Sequence, residues 1–186
     1  MKNLTRGYRF LTSIATSLFF LSMAPKCLAF DEWGFKSGTP KAEVEQTVRS
    51  GGGSISKSGD ATTVTRFDPV NGQASIFILR FCDDRLTSVL KAESFTPATL
   101  IDLQFDLVKQ HGSPVLSVQD KSINTKMGAF VSRELDYTWE LANDKTQIIA
   151  TVPISSPFQI NPGLSVVHSD SSVCLNGDRE RPAVNE

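Results

Sequence analysis

The side chains best equipped for chemistry in this chain are its two histidines, its paired carboxylates and its cysteines. His168 stands beside Ser169 and Asp170, the three residue types of an acyl-transfer triad. Such a triad is built from spatial rather than sequential neighbours, so adjacency assigns nothing, and no Gly-x-Ser-x-Gly elbow accompanies it. His111 precedes Gly112 at the end of an apolar-periodic segment, where an imidazole suits the negative end of a helix. His111 and His168 are far apart in sequence and neither has a patterned partner at zinc-type spacing. Asp83-Asp84 reads as a turn former, because a hard cation needs several oxygen ligands. Gly51 to Ser58 is a near miss to a phosphate-binding loop. Ser56 replaces its second glycine, and the segment follows a helix where such a loop must follow a strand. No catalytic residue, cofactor site or metal site is therefore expected.

The segment from Met1 to Ala29 reads as a secretory signal peptide. Lys2, Arg6 and Arg9 form a basic start, and an apolar stretch of about 15 residues runs from Phe10 to Ala24. Pro25 and Lys26 break it, and Cys27-Leu28-Ala29 offers small residues to a peptidase, so the mature chain is expected to begin at Phe30. The stretch is short of the roughly 20 residues a membrane span needs. Lys26 directly before Cys27 is unlike a lipobox. A periplasmic or secreted protein with no stable membrane span is expected. Cleavage removes Lys2, Arg6, Arg9 and Lys26 and no acid, which takes the formal charge from −1 to −5. That balance argues against nucleic acid as a partner. Cleavage also leaves two cysteines, Cys82 and Cys174. In an oxidising compartment an even pair reads as a disulfide, and two separate buried thiols are the alternative. The bridge would close a loop of about 90 residues, worth roughly 4–5 kcal/mol on the chain-entropy model.

The elements that must position these groups form an α+β chain. Residues 30–175 read as one domain, and 176–186 as a polar mobile tail. Thr39-Pro40 opens a first helix with Val44 and Val48 on one face, and Thr39 is its expected cap. Gly51-Gly52-Gly53 ends it and leads into a flexible loop to about Gly59. Strands follow at 62–67, 75–81 and 86–93, with turns at Asn71-Gly72 and Asp83-Asp84. Thr96-Pro97 opens a second helix that runs to His111 with a broad apolar face. A short strand at 115–118 and a polar loop over 119–128 come next. Leu135, Tyr137, Trp139 and Leu141 then alternate with Glu134, Asp136, Thr138 and Glu140, an amphipathic strand whose acidic row faces outward. A partner strand spans 147–154 after a hairpin at Asn143-Asp144, and 164–168 is expected as an edge strand. Tight turns between strand runs predict two helices on one face of a curved antiparallel sheet. The matching starts, Thr39-Pro40 and Thr96-Pro97, suggest two helix-then-meander repeats.

This layout, with an aromatic-x-x-Gly lead-in and a valine six residues later, resembles the beta-lactamase-inhibitor-protein-like fold. The small lipoprotein of the outer-membrane barrel-assembly machinery shares that architecture. The matching residues are Phe35, Gly38 and Val44. The family usually carries Ser or Thr two residues after the glycine. Here Pro40 stands there, and the second helix has Ser94-Phe95 in place of the glycine lead-in. The resemblance implies a non-enzymatic, protein-binding domain. The function expected is that of an exported envelope accessory domain that binds another envelope or secreted protein, with Glu134, Asp136 and Glu140 as the candidate partner surface. The competing expectation is a small hydrolase or ligand-binding enzyme built on His168 or His111.

Overall fold

The computed structural model describes residues 30–67, 72–125, 128–156 and 159–173. The expected signal peptide, Asn71 of the expected turn, Cys174 and the expected tail lie outside the described residues. Two helices and a large antiparallel sheet form an α+β fold.

The described residues open with a small hairpin, β1 (Asp31–Glu32) and β2 (Phe35–Lys36), turned by Trp33 and Gly34. Helix α1 (Lys41–Ser50) follows and buries Val44 and Val48. Its start differs from the sequence expectation. Pro40 is extended and forms an isolated bridge with Arg85, and no side chain caps the helix. The first free amide, that of Lys41, donates instead to the Asp84 carbonyl at 2.7 Å. The Asp83-Asp84 turn, both residues at positive φ, thus supplies the group that Thr39 was expected to supply.

Four strands come next: β3 (Ser54–Ser58), β4 (Ala61–Phe67), β5 (Ala74–Cys82) and β6 (Arg85–Glu93). β3 replaces the expected loop. It pairs with β4 from Ser54 to Ser58 and turns Ile55 onto the first core cluster. Helix α2 (Pro97–His111) is capped as its sequence suggests. The Thr96 hydroxyl accepts from the Thr99 amide at 3.0 Å, and Pro97 occupies the first turn. Four more strands complete the fold: β7 (Val115–Thr125), β8 (Gly128–Leu141), β9 (Asp144–Ser155) and β10 (Gly163–Asp170). β7 runs through most of the expected polar loop. Cross-strand pairs hold its polar half to β8, with Asp120 on Arg133 and Lys121 on Glu134.

The eight-stranded order is β3-β4-β5-β6-β10-β9-β8-β7, and every pairing is antiparallel. β10 was expected at an edge and instead lies at the centre, between β6 and β9. Its alternation explains the placement: Leu164, Val166, His168 and Asp170 are all buried. Two clusters form the core. Val44 and Val48 pack with Phe30, Phe35, Val64, Phe77, Leu79, Leu86 and Val89. Leu107 packs with Trp139, Ile148, Ala150 and Leu164. Directly opposed residues share a sheet face. One row runs Leu79, Val89, His168, Thr146, Trp139 across five strands, so both clusters draw on the same face.

Gly53 sits where α1 meets the sheet. A Cβ there would lie 2.8 Å from Val48 Cγ1 and 3.1 Å from the Thr65 carbonyl oxygen. Gly53→Ala is expected to lower stability by about 1–3 kcal/mol, the usual cost of overpacking, as a reduced urea midpoint at unchanged slope.

Candidate functional site

The polar groups buried nearest one another lie on the inner face at one end of β9 and β10, under the N-terminal hairpin. Alternation along β10 aims His168 and Asp170 inward, and alternation along β9 aims Asp144 and Thr146 inward. Thr146 and His168 oppose each other, as do Asp144 and Asp170. Thr146 Oγ1 lies 3.0 Å from His168 Nδ1, and the Ser37 hydroxyl donates to Asp170 Oδ2. The amide of Ser172 donates to Asp170 Oδ1 at 2.8 Å.

The hairpin closes this end of the face. The Phe30 ring lies 6.4 Å from the His168 ring, and Trp33 meets it edge-on at 5.1 Å. Arg66 fixes the hairpin from below: its guanidinium stacks 4.2 Å over Phe35 and donates to the Trp33 carbonyl at 2.7 Å. Lys91 lies 5.6 Å over Trp33. Phe30 is 4% exposed and His168 6%.

Burial controls the ionisation here. Loss of hydration pushes the His168 pKa down to about 4, and the like charge of His111 adds to the fall. His168 is a neutral imidazole held by a hydroxyl and two aromatic rings. Asp144 moves the other way, up to about 6, first because it is desolvated and then because Asp170 and Glu32 are nearby anions. The Lys145 amide resists that rise, and Asp144 Oδ1 is buried without a hydrogen-bond partner.

The candidate catalytic groups are therefore not assembled. Ser169 points to the opposite face and donates to the Lys145 carbonyl, so the sequential Ser-His-Asp cluster is divided between two sides of the sheet. His111 lines a separate surface hollow of about 540 Å³ with Ser113, Trp139, Glu140 and Lys145. His168 is not among the residues lining it, although the two histidines sense each other electrostatically. No group of three metal-ligating side chains occurs among the described residues.

The acidic row of β8 lies on the outer face. Glu134 is bridged by Lys121 at 2.7 Å, Asp136 takes two bonds from the Gln147 amide group, and Glu140 stands opposite Lys145. Much of its charge is answered within the sheet. Tyr137 and Leu135, across the pleat, pack against the second core cluster. The sequence reading missed Thr146 and the pairing of Asp144 with Asp170. The only signal for either was a polar residue at an inward position of an alternating strand. Comparison with known protein families, characterised proteins and solved structures finds no match to this chain.

The two shifted groups set a testable pH response. Between about pH 4 and 6 the unfolded chain has ionised Asp144 while the native state keeps it protonated, so this group lowers stability as pH rises. Between about pH 4 and 6.5 the unfolded chain protonates His168 while the native state does not, so this group raises stability as pH rises. The two slopes oppose each other. Relative to the parent, Asp144→Asn should gain a positive slope of stability against pH across this window. His168→Gln should gain a negative one, each at most about 1.4 kcal/mol per pH unit. Urea melts at half-unit pH steps measure both, and equal slopes in the two variants would refute the assignment.

Proposed function

We propose that this chain is an exported, non-enzymatic domain that binds another protein on the outer face of its sheet. The observation that carries the proposal is the bareness of that face. Both core clusters draw on the inner side, and the outer side presents Ile76 and Phe67, 43% and 63% exposed, beside half-buried Ile78, Leu90, Val167 and Ile149. Cross-strand pairing joins these into two adjacent rows: Ile78, Leu90, Val167 and Ile76, Ala92, Ser165, Ile149. A continuous apolar strip on a soluble surface favours a protein partner over a small polar ligand. Glu134 and Glu140 at its margin would orient a partner that carries some positive charge. The enzymatic alternative has less support, because Phe30 and Trp33 cover the His168 ring.

Two further features support the same reading. The finer architecture is proposed to be two related halves, α1 with β3–β6 and α2 with β7–β10, each helix lying on the inner face of its own meander. The strand order, which runs out through one half and back through the other, favours this and the resemblance to the beta-lactamase-inhibitor-protein-like fold. Export is proposed from the leader-like segment Met1 to Ala29. Phe30, directly after the expected cut, is a core residue whose carbonyl accepts from the Ser37 amide. The Cys82–Cys174 bridge is proposed with it. β5 and β10 both run antiparallel to β6, so Cys82 and the chain leaving Asp170 lie at the same end of the sheet.

The experiment is site-specific photocrosslinking in the intact envelope, with the probe at Ile149 or Ile76 and at exposed Gln46 of α1 as a control. A specific adduct from the two outer-face positions and none from Gln46 is the expected result, and no adduct at either outer-face position would refute the docking face. For the bridge, native material should resist alkylation until reduced. Cys82→Ser should then lower stability by roughly 2–4 kcal/mol.

A further inference from the structure

A second set of exposed apolar side chains lies on α2 and β7. Ile101, Phe105 and Val108 occupy positions i, i+4 and i+7 of α2 and are exposed, Phe105 to 68%. They form a stripe apart from Leu107, which faces the core. On β7, Leu116 and Val118 are exposed as well, 51% and 52%, on the sheet face that carries α2, while Val115, opposite Thr138, points to the other face. Leu116 and Val118 stand opposite Tyr137 and Leu135, which pack in the cluster under α2. They therefore extend that apolar layer one strand beyond the helix and leave it open. β7 is also the last strand of the sheet, and no strand among the described residues pairs with its outer side. An edge of this length with an uncharged apolar half is the feature that soluble proteins usually protect.

We propose that the occupant of this flank is a second copy of the chain, joined β7 to β7 across a two-fold axis. The five side chains on that side offer on the order of 500 Å² of apolar surface per copy, against about 800 Å² per partner in a stable dimer, and the edge backbone contributes the rest. The strand is also self-complementary in one register. Antiparallel pairing of a strand with its own copy requires an axis perpendicular to the sheet, so one residue must meet itself. With Ser117 on the axis, Leu116 opposes Val118 of the second copy, twice, on the face that carries α2. With Gln119 on the axis, Val118 would oppose Asp120. With Asp120 or Lys121 there, like charges would meet. With Leu116 there, Val118 would oppose Pro114, which has no amide to pair, so the Ser117 register keeps Leu116 and Val118 off the charges over the longer ladder, with Asp120 opposite Pro114 at its end. The same axis places both α2 helices, with their exposed Ile101, Phe105 and Val108, on one side of the joined sheet.

The test combines hydrodynamics with crosslinking of the full mature chain. Sedimentation should show a dimer at ~100 µM or below, and the double variant Phe105→Glu/Leu116→Glu should be monomeric with an unchanged far-ultraviolet spectrum. Ser117→Cys should form an intermolecular disulfide, identified as the 117–117 peptide by mass spectrometry, more readily than Gln119→Cys. A parent that stays monomeric at ~100 µM overturns the proposal, as does crosslinking through residue 119 in preference to 117. A stable complex with a different protein through Phe105 would overturn it too, and would assign the flank to that partner.

Discussion

The pairing of β6 with β10 is the constraint on which the rest depends. Strands β3–β6 and β7–β10 follow one another as neighbours in the sheet, and β6 beside β10 is the pairing that joins the two sets. Six register pairs, from Leu164 opposite Glu93 to Ser169 opposite Ser88, turn two small sheets into one. The same register carries a buried row from Leu79 through Val89, His168 and Thr146 to Trp139, so the two core clusters meet across it. The middle of that row is polar, and its cost is limited because Thr146 bonds His168 and aromatic rings cover the imidazole. The neutrality of His168 follows from where it sits.

Much of the fold was legible because the periodicities were strong. Alternation from Leu135 to Leu141 identified β8 and its inward face, and Thr96-Pro97 marked α2 and its cap. The misreadings share a physical cause. β10 looks like an edge because it is short and ends in His168, Ser169 and Asp170, yet burial there is decided by partners far away in sequence. β3 and the second half of β7 look like loops because they are polar. A strand with one buried residue, Ile55, or with cross-strand ion pairs such as Asp120 with Arg133, needs no apolar run. At the first helix, Thr39 had the right chemistry for a cap, but the Asp84 carbonyl, from a turn three strands further along the chain, reached the open amide. Of the buried cluster, His168 and Asp170 were visible as residues, whereas their partners Thr146, Asp144 and Ser37 were not. A hydroxyl or carboxylate facing inward leaves no mark in a hydrophobic pattern.

The division of labour between the two sheet faces follows from this arrangement. The inner face turns its polar groups on each other and is shut by Phe30 and Trp33. The outer face keeps apolar side chains in the open and answers most of its acids within the sheet, Glu134 through Lys121 and Asp136 through Gln147. An antiparallel sheet can leave one side to water, and here that side keeps Ile76 and Phe67 exposed.

The central position of β10 also governs the order in which the molecule can be made. As the chain is synthesised from its first residue, β6 is complete at Glu93, long before Gly163 begins the strand that will cover its free edge. Through that interval the first half carries an unpaired strand beside an unfinished core, the kind of surface that chaperones hold and that nascent chains lose to aggregation. Closure waits for a segment that begins 70 residues after β6 ends, so the final step is a long-range one and slow by nature. A chain stopped short of Gly163 would lack the strand that joins its halves and leave two half-sheets in search of an edge.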